Sequence, residues 1–184
     1  PSTQDKDGPS GISGTLVGGT SCMAWPAEVV MSSTWNTKLI EEAGVHIGED
    51  SIASNVAGWY APGLDIHRSP YSGRNFEYFS EDPYLTGKLA TGYIEGVQSL
   101  GIGTSLKHYA VNSQETRRMT SNSQIDERTL REIYLSAFEE VVKKAKPTSV
   151  MASYNRINGE FGARNKYLLT DVLRKEWKYQ GGVV

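Results

Sequence analysis

The chain has 184 residues, of which 38% are hydrophobic and 22% charged, so it can close a globular core and is too apolar for a disordered segment. Its formal net charge of −2, with acids and bases interspersed, suggests neither a nucleic-acid surface nor an anionic-membrane patch, and a neutral partner fits better. The single Cys22 excludes an intrachain disulfide and leaves the compartment open, and no apolar run approaches the ~20 residues that span a bilayer.

Residues 1–26 are rich in Gly, Ser, Thr and Pro, and Asp7-Gly-Pro-Ser-Gly-Ile12 stands out as a turn that opens on a carboxylate. A phosphate loop is rejected because no Gly-Lys-Ser/Thr follows; the plain alternative for Asp7 is a side chain that only caps its turn. With Pro1 first and no signal-like segment, the chain is expected to be a piece of a longer protein. Asn36 predicts a helix start, with Leu39, Ile40, Ala43 and Ile47 along one stripe and Gly48 as its stop. Within Ile52 to Ile66 a strand is expected, ending near Pro62 and leading into a long loop that carries Arg68, Arg74, Glu77 and Glu81 among four aromatics. Asp82-Pro83 is a strong helix start, with the acid at the cap and proline at the first helical position, and Gly101 is the expected stop.

Gly101 to Leu106 reads as a buried strand with Lys107-His108 at its carboxyl end, followed by a polar loop to Gln124. Asp126 then caps a helix in which Leu130, Ile133, Tyr134, Ala137, Phe138, Val141 and Val142 recur at spacings of three and four, up to an exit at Pro147. Thr148 to Tyr154 reads as another strand, Lys166 to Trp177 as a helix, and Gly181 to Val184 as the opening of a strand. Alternating strands and helices with short connections predict a parallel sheet, either a (β/α)8 barrel or a doubly wound sheet. A complete barrel takes ~250 residues, so this would be a partial one.

Asp7, Arg74, Lys107, His108, Arg118 and Tyr154 all fall in loops or at strand ends, where α/β folds keep their ligand groups. Taken alone, Lys107 could be a solvated charge and His108 a hydrogen-bonded core histidine. Together the six offer a carboxylate acceptor, several fixed donors and an aromatic hydroxyl, a set that suits the hydroxyls of a sugar. A phosphorylated or carboxylated ligand is the competing reading of Arg74, Lys107 and Arg118. A metal centre is disfavoured because His46, His67 and His108 are scattered without ligand spacing, and no cofactor is indicated.

Five blocks carry a resemblance: Asp7-Gly-Pro-Ser-Gly, Ser72-Gly-Arg-Asn-Phe-Glu-Tyr-Phe-Ser-Glu-Asp-Pro83, Lys107-His-Tyr-Ala-Val-Asn112 with Gln114-Glu-Thr-Arg-Arg118, Asp126 to Tyr134, and Met151-Ala-Ser-Tyr-Asn-Arg-Ile-Asn-Gly159. In this order they resemble the β-glucosidases of glycoside hydrolase family 3 over essentially the whole chain. The resemblance implies a partial (β/α)8 TIM-type barrel, with residues 1–184 forming part of one barrel domain. It also implies a second α/β sandwich domain elsewhere, and retaining hydrolysis of terminal β-linked glucose from β-glucosides or short β-linked oligosaccharides. It places the family's sugar-binding residues on Asp7, Arg74, Lys107, His108, Arg118 and Tyr154. The Lys-His-Tyr-Ala-Val-Asn form is unlike the N-acetylglucosaminidase branch, which has Lys-His-Phe-Pro-Gly.

The family's nucleophilic aspartate follows its Gly-x-Val-Val strand and would lie beyond Val184, and its acid/base glutamate comes from the second domain. No catalytic residue is therefore assigned within the chain, and upstream sequence including a first strand is expected to be missing. Part of a β-glucosidase is the favoured reading, against a sugar-binding module without catalysis or an unrelated structural fragment. An incomplete barrel is also expected to self-associate or to need a complementing chain segment.

Overall fold

The computed structural model describes residues 4–13 and 22–184. The Gly/Ser/Thr-rich run at 14–21 lies outside the described residues. Five parallel strands form the main sheet: β1 Asp5–Asp7, β2 Gly58–Tyr60, β3 Gly103–Tyr109, β5 Ser149–Ala152 and β8 Gly182–Val183, in the spatial order β1-β2-β3-β5-β8. All their carboxyl ends therefore point one way. The helices between them cover the sheet: α1 Glu28–Ser32, α2 Thr37–Ala53, α3 Pro83–Gln98, the run from α4 Glu127–Thr129 to α5 Ser136–Lys144, and a π-helical segment Tyr167–Glu176. This is the wall of a partial TIM-type barrel. The fit is clearest at β3, buried from Thr104 to Tyr109 as expected of a parallel strand covered on both faces.

The helix caps follow from side-chain chemistry. Asn36 accepts from Leu39 N at 3.1 Å, Asp82 from Tyr84 N at 2.8 Å, and Asp126 from Thr129 N at 2.9 Å, each satisfying an amide that the first turn leaves open. Two expectations for α2 need correction. Gly48 does not stop the helix, which runs on to Ala53; a Cβ there would meet Leu100 Cδ1 at 3.0 Å, so the glycine is kept for close packing. Leu39 lies outside the apolar stripe and is exposed, while Ile40, Ala43 and Ile47 are buried.

The contact between α2 and α3 is made through glycines. A Cβ on Gly44 would fall 2.4 Å from the Tyr93 carbonyl oxygen, and one on Gly96 2.2 Å from that of Glu41. Inside, Trp59 meets Tyr93 edge-on at 5.0 Å, and Tyr109 meets Phe138 at 5.3 Å, so aromatic rings join the sheet to the helices.

The helix after Asp126 is interrupted by a π-helical turn, Leu130–Tyr134, closed by Leu135 N to Leu130 O at 2.8 Å. The extra residue rotates the stripe and buries Leu135, which regular spacing leaves out. Four short strands were not expected. β1 is paired by β2, and β4 Asn122–Ser123 and the hairpin of β6 Arg156–Ile157 with β7 Glu160–Phe161 form a second small sheet. The hairpin turn, Asn158-Gly159, has positive φ at both residues (49° and 97°), as a type I′ turn requires. Ile52 belongs to α2, so the strand expected between Ile52 and Ile66 is confined to Gly58–Tyr60.

Candidate functional site

At the carboxyl end of the sheet, Asp7 closes β1, Lys107 and His108 lie in the last three residues of β3, and Tyr154 follows β5. Arg74 and Glu77 come from the loop between β2 and α3, at a 3₁₀ turn Asn75–Glu77, and Arg118 from the loop after β3. The Asp7 turn is tied by its own backbone: Ser13 N donates to Asp7 O at 2.8 Å, and Gly8 N to Asp7 Oδ1 at 3.0 Å. Asp7 thus caps its turn and also reaches Lys107.

Lys107 is not a solvated charge. It is 1% exposed, and its Nζ lies 2.5 Å from Asp7 Oδ1 and 3.2 Å from Glu77 Oε2. Glu77 continues the chain of charge to Arg74 Nε. Arg74 stands 4.0 Å from Glu115, which Arg118 holds at 3.0 Å, and the Arg118 guanidinium lies 5.0 Å from the centre of the Tyr154 ring. His108 joins by another route: its Nδ1 pairs with the Tyr78 hydroxyl at 3.0 Å, and Asn112 Nδ2 donates to Tyr78 Oη at 3.3 Å and to Glu115 at 3.0 Å. Asp65, fully buried, accepts the backbone amides of His108 and Asn112 at 3.1 and 2.8 Å and so fixes the turn after the strand. All six residues singled out by sequence are joined in this network.

Two hollows at this end of the sheet are lined by members of the network. Asp7, Arg74 and Glu77 line a hollow of about 520 Å³, whereas Tyr154 lines another of about 500 Å³ with Tyr60, Met119 and Met151. Lys107 and His108 are buried and line neither hollow. Burial works against the Arg74 charge, but the bond to Glu77 and the nearby Tyr78 and Glu115 outweigh it and raise its pKa. Burial also pushes the Tyr78 phenol far up, with Asp65 adding to the effect, so it stays a neutral hydroxyl beside His108.

Glu77 and Glu115, which the sequence places in loops and gives no role, are the anions that hold Lys107, Arg74 and Arg118. Asp65, Tyr78 and Asn112 went unnoticed, although Asp65 follows the expected strand end at Pro62 by three residues, the kind of position that flags a site. Among the described residues no group of His, Cys, Asp and Glu is arranged to hold a metal ion, and no helix is long and apolar enough to cross a membrane.

The family model of the glycosyl hydrolase family 3 N-terminal domain matches residues 6–184. Over its whole length the chain is 47% identical to thermostable beta-glucosidase B of Acetivibrio thermocellus and 48% identical to an exo-alpha-(1->6)-L-arabinopyranosidase of Bifidobacterium longum. It spans 25% and 26% of those two proteins. The structure of beta-glucosidase 3B from Thermotoga neapolitana in complex with glucose superposes on all of this chain and 26% of that one, with a TM-score of 0.94 at 44% identity. A fold match of this closeness and a family model that covers nearly every residue agree on one assignment: the chain belongs to glycosyl hydrolase family 3, through its N-terminal domain.

Proposed function

We propose that the full-length protein carrying this chain is a retaining β-glucosidase, and that this chain supplies the wall that binds the terminal glucosyl unit. In this reading Asp7, Arg74, Lys107, His108, Arg118 and Tyr154 make up the sugar-binding wall, with the exposed Asp7 and Tyr154 facing the sugar and the buried Lys107 holding Asp7. The observation that carries it is charge balance. Arg74, Lys107 and Arg118 are each paired with a carboxylate of the chain, Glu77, Asp7 or Glu115, so the wall holds no surplus positive charge for a phosphate or carboxylate. What it offers instead is directional: a half-exposed Asp7 that accepts from hydroxyls, fixed cationic donors, and the exposed Tyr154.

Retaining hydrolysis needs one carboxyl to attack carbon and another to move the proton, ~5 to 5.5 Å apart. Glu77 and Asp65 are buried and held by two partners each, and Glu115 is held by Arg118 and Asn112, so these carboxylates serve the wall. The attacking carboxylate and the proton donor are then supplied by the rest of the protein, together with the remaining barrel and a second α/β domain. The expected result is release of nitrophenol from an aryl β-D-glucoside by the full-length protein, with glucose first appearing as the β-anomer, and none by residues 1–184 alone. Absence of turnover by the full-length protein would overturn the activity. Turnover by residues 1–184, abolished by Glu77→Gln or Glu115→Gln, would overturn the placement of the catalytic pair.

One observation favours a second glycone. The arabinopyranosidase is as similar to this chain as the beta-glucosidase is. Comparing kcat/KM on aryl β-D-glucopyranoside and aryl α-L-arabinopyranoside decides between them.

A further inference from the structure

Glu28, the first residue of α1, is fully buried, and the ion network of the site does not include it. Both its carboxyl oxygens face a single donor, the Gly63 amide, at 3.2 and 3.3 Å. Gly63 stands at a joint of the site, bridged to Lys107 on one side and to Tyr78 on the other. Its neighbours make both backbone bonds to Lys107: Leu64 N to Lys107 O at 2.7 Å, and Lys107 N to Pro62 O at 3.0 Å. The segment has no slack, because a Cβ on Gly63 would fall 2.2 Å from the Glu77 carbonyl oxygen and 2.6 Å from the Tyr78 ring. The far end of α1 is bound in the same way, with the buried Ser32 hydroxyl donating to the Phe79 carbonyl at 2.5 Å. One short helix is thereby tied to the two backbone segments that present Lys107, Glu77 and Tyr78.

We propose that Glu28 is a positioning residue for the sugar-binding wall: through the Gly63 amide it sets the place of the Pro62–Leu64 segment, and with it the point at which Lys107 meets Asp7 and Glu77. The inference rests on the sugar-binding role given above to Asp7 and Lys107. The surroundings of Glu28 favour its protonated form. Burial pushes its carboxyl well above the ordinary carboxylate range against the pull of the Gly63 bond, and the Glu77 charge adds to the rise while Lys107 opposes it. The groups that face it are Glu77 from the 3₁₀ turn, Lys107 from β3, and Tyr93 from α3, whose hydroxyl donates to the Pro9 carbonyl at 3.3 Å. An ionised Glu28 would be a second buried anion beside Glu77 and would compete with Asp7 for Lys107. A protonated one leaves that charge to its two present partners.

The test compares Glu28→Gln, which keeps an acceptor of the same shape, with Glu28→Ala, which removes it, in the full-length protein. Glu28→Gln is expected to keep KM for an aryl β-glucoside within about twofold, and Glu28→Ala to raise it about tenfold or more with kcat changed less. Amide exchange should show lost protection at Gly63, Leu64 and Lys107 in Glu28→Ala and not in Glu28→Gln. The infrared band of a protonated carboxyl should be present in the wild type and absent in Glu28→Gln. A purely structural role would lower stability without moving KM of the folded fraction. An unchanged KM and unchanged protection in Glu28→Ala would overturn the proposal, as would a Glu28→Gln variant that loses affinity or protection, or a wild type without the protonated band. If Glu28→Ala does not fold, protection and the infrared band in Glu28→Gln still decide. If the wild type hydrolyses no β-glucoside, the proposed activity falls, while the exchange experiment continues to test what Glu28 holds in place.

Discussion

Replacing Asp7 by alanine removes a carboxylate whose two oxygens are used differently. Oδ1 takes Lys107 Nζ at 2.5 Å and the Gly8 amide at 3.0 Å, while among the described residues Oδ2 accepts no hydrogen bond and the side chain is 58% exposed. Oδ2 is the atom free to accept a sugar hydroxyl. A charge-assisted bond of this kind is worth ~1.5 to 3 kcal/mol, which at ~1.4 kcal/mol per decade predicts a loss of kcat/KM of about 10- to 150-fold. Folding should change little, because Lys107 keeps Glu77 at 3.2 Å, and a pair with so exposed a partner contributes about 1 kcal/mol or less. The assay is hydrolysis of an aryl β-glucoside by the full-length protein, with circular dichroism to confirm an unchanged fold and Asp7→Asn as the variant that keeps an acceptor without the charge. Asp7→Asn should fall between the other two. An Asp7→Ala enzyme as efficient as the wild type would refute the role given to this carboxylate.

Glu77→Gln removes the anion shared by two cations; breaking a buried pair costs ~3 to 5 kcal/mol, and the lower end is expected because Lys107 keeps Asp7 and Arg74 keeps Glu115 at 4.0 Å. Chemical denaturation of the full-length protein should show the domain's transition moved to lower denaturant. Gly63→Ala should weaken both fold and affinity, since its Cβ would lie 2.2 Å from the Glu77 carbonyl oxygen; a thermal melt and a KM near wild type would contradict the packing described. The raised pKa of Glu28 also makes stability depend on pH. The folded state binds its proton more tightly than the unfolded chain, whose value is near 4.5, so its contribution is fully present below pH 4.5 and is lost as pH rises through the folded value. Denaturant midpoints measured across that range should fall in the wild type and fall less in Glu28→Gln.

The caps show what was legible without coordinates. Asn36, Asp82-Pro83 and Asp126 start helices because each side chain satisfies an amide within three residues of itself, a purely local event. β1 was not legible for the opposite reason: Asp5-Lys6-Asp7 has no apolar alternation and becomes a strand through β2, more than fifty residues away in sequence. Gly48 misled because a glycine kept for packing against Leu100 looks the same in sequence as one that ends a helix. The hairpin at Asn158-Gly159 did carry its usual signal, positive φ at both turn residues being cheap only for such a pair. In the site, Asp7 and Lys107 stand at strand ends and Arg74 and Arg118 in the loops beyond them, so they are visible by position. Glu28 and Glu77 are not, since nothing in their spacing separates a buried acid bound to a distant amide or lysine from a solvated one.

The glycine contact between α2 and α3 makes the outer layer a ruler for the inner one. α2 leads into β2 and α3 into β3, so the distance between the two helices is handed on to the strands that bring Gly63 beside Lys107. A side chain at Gly44 or Gly96 would force the helices apart, and the strand starts would move with them. Paired strands do not yield by fractions: the next register lies ~3.3 Å away and turns every inward residue outward. A methyl group buried between two helices of the outer layer would therefore be felt as a misplaced lysine.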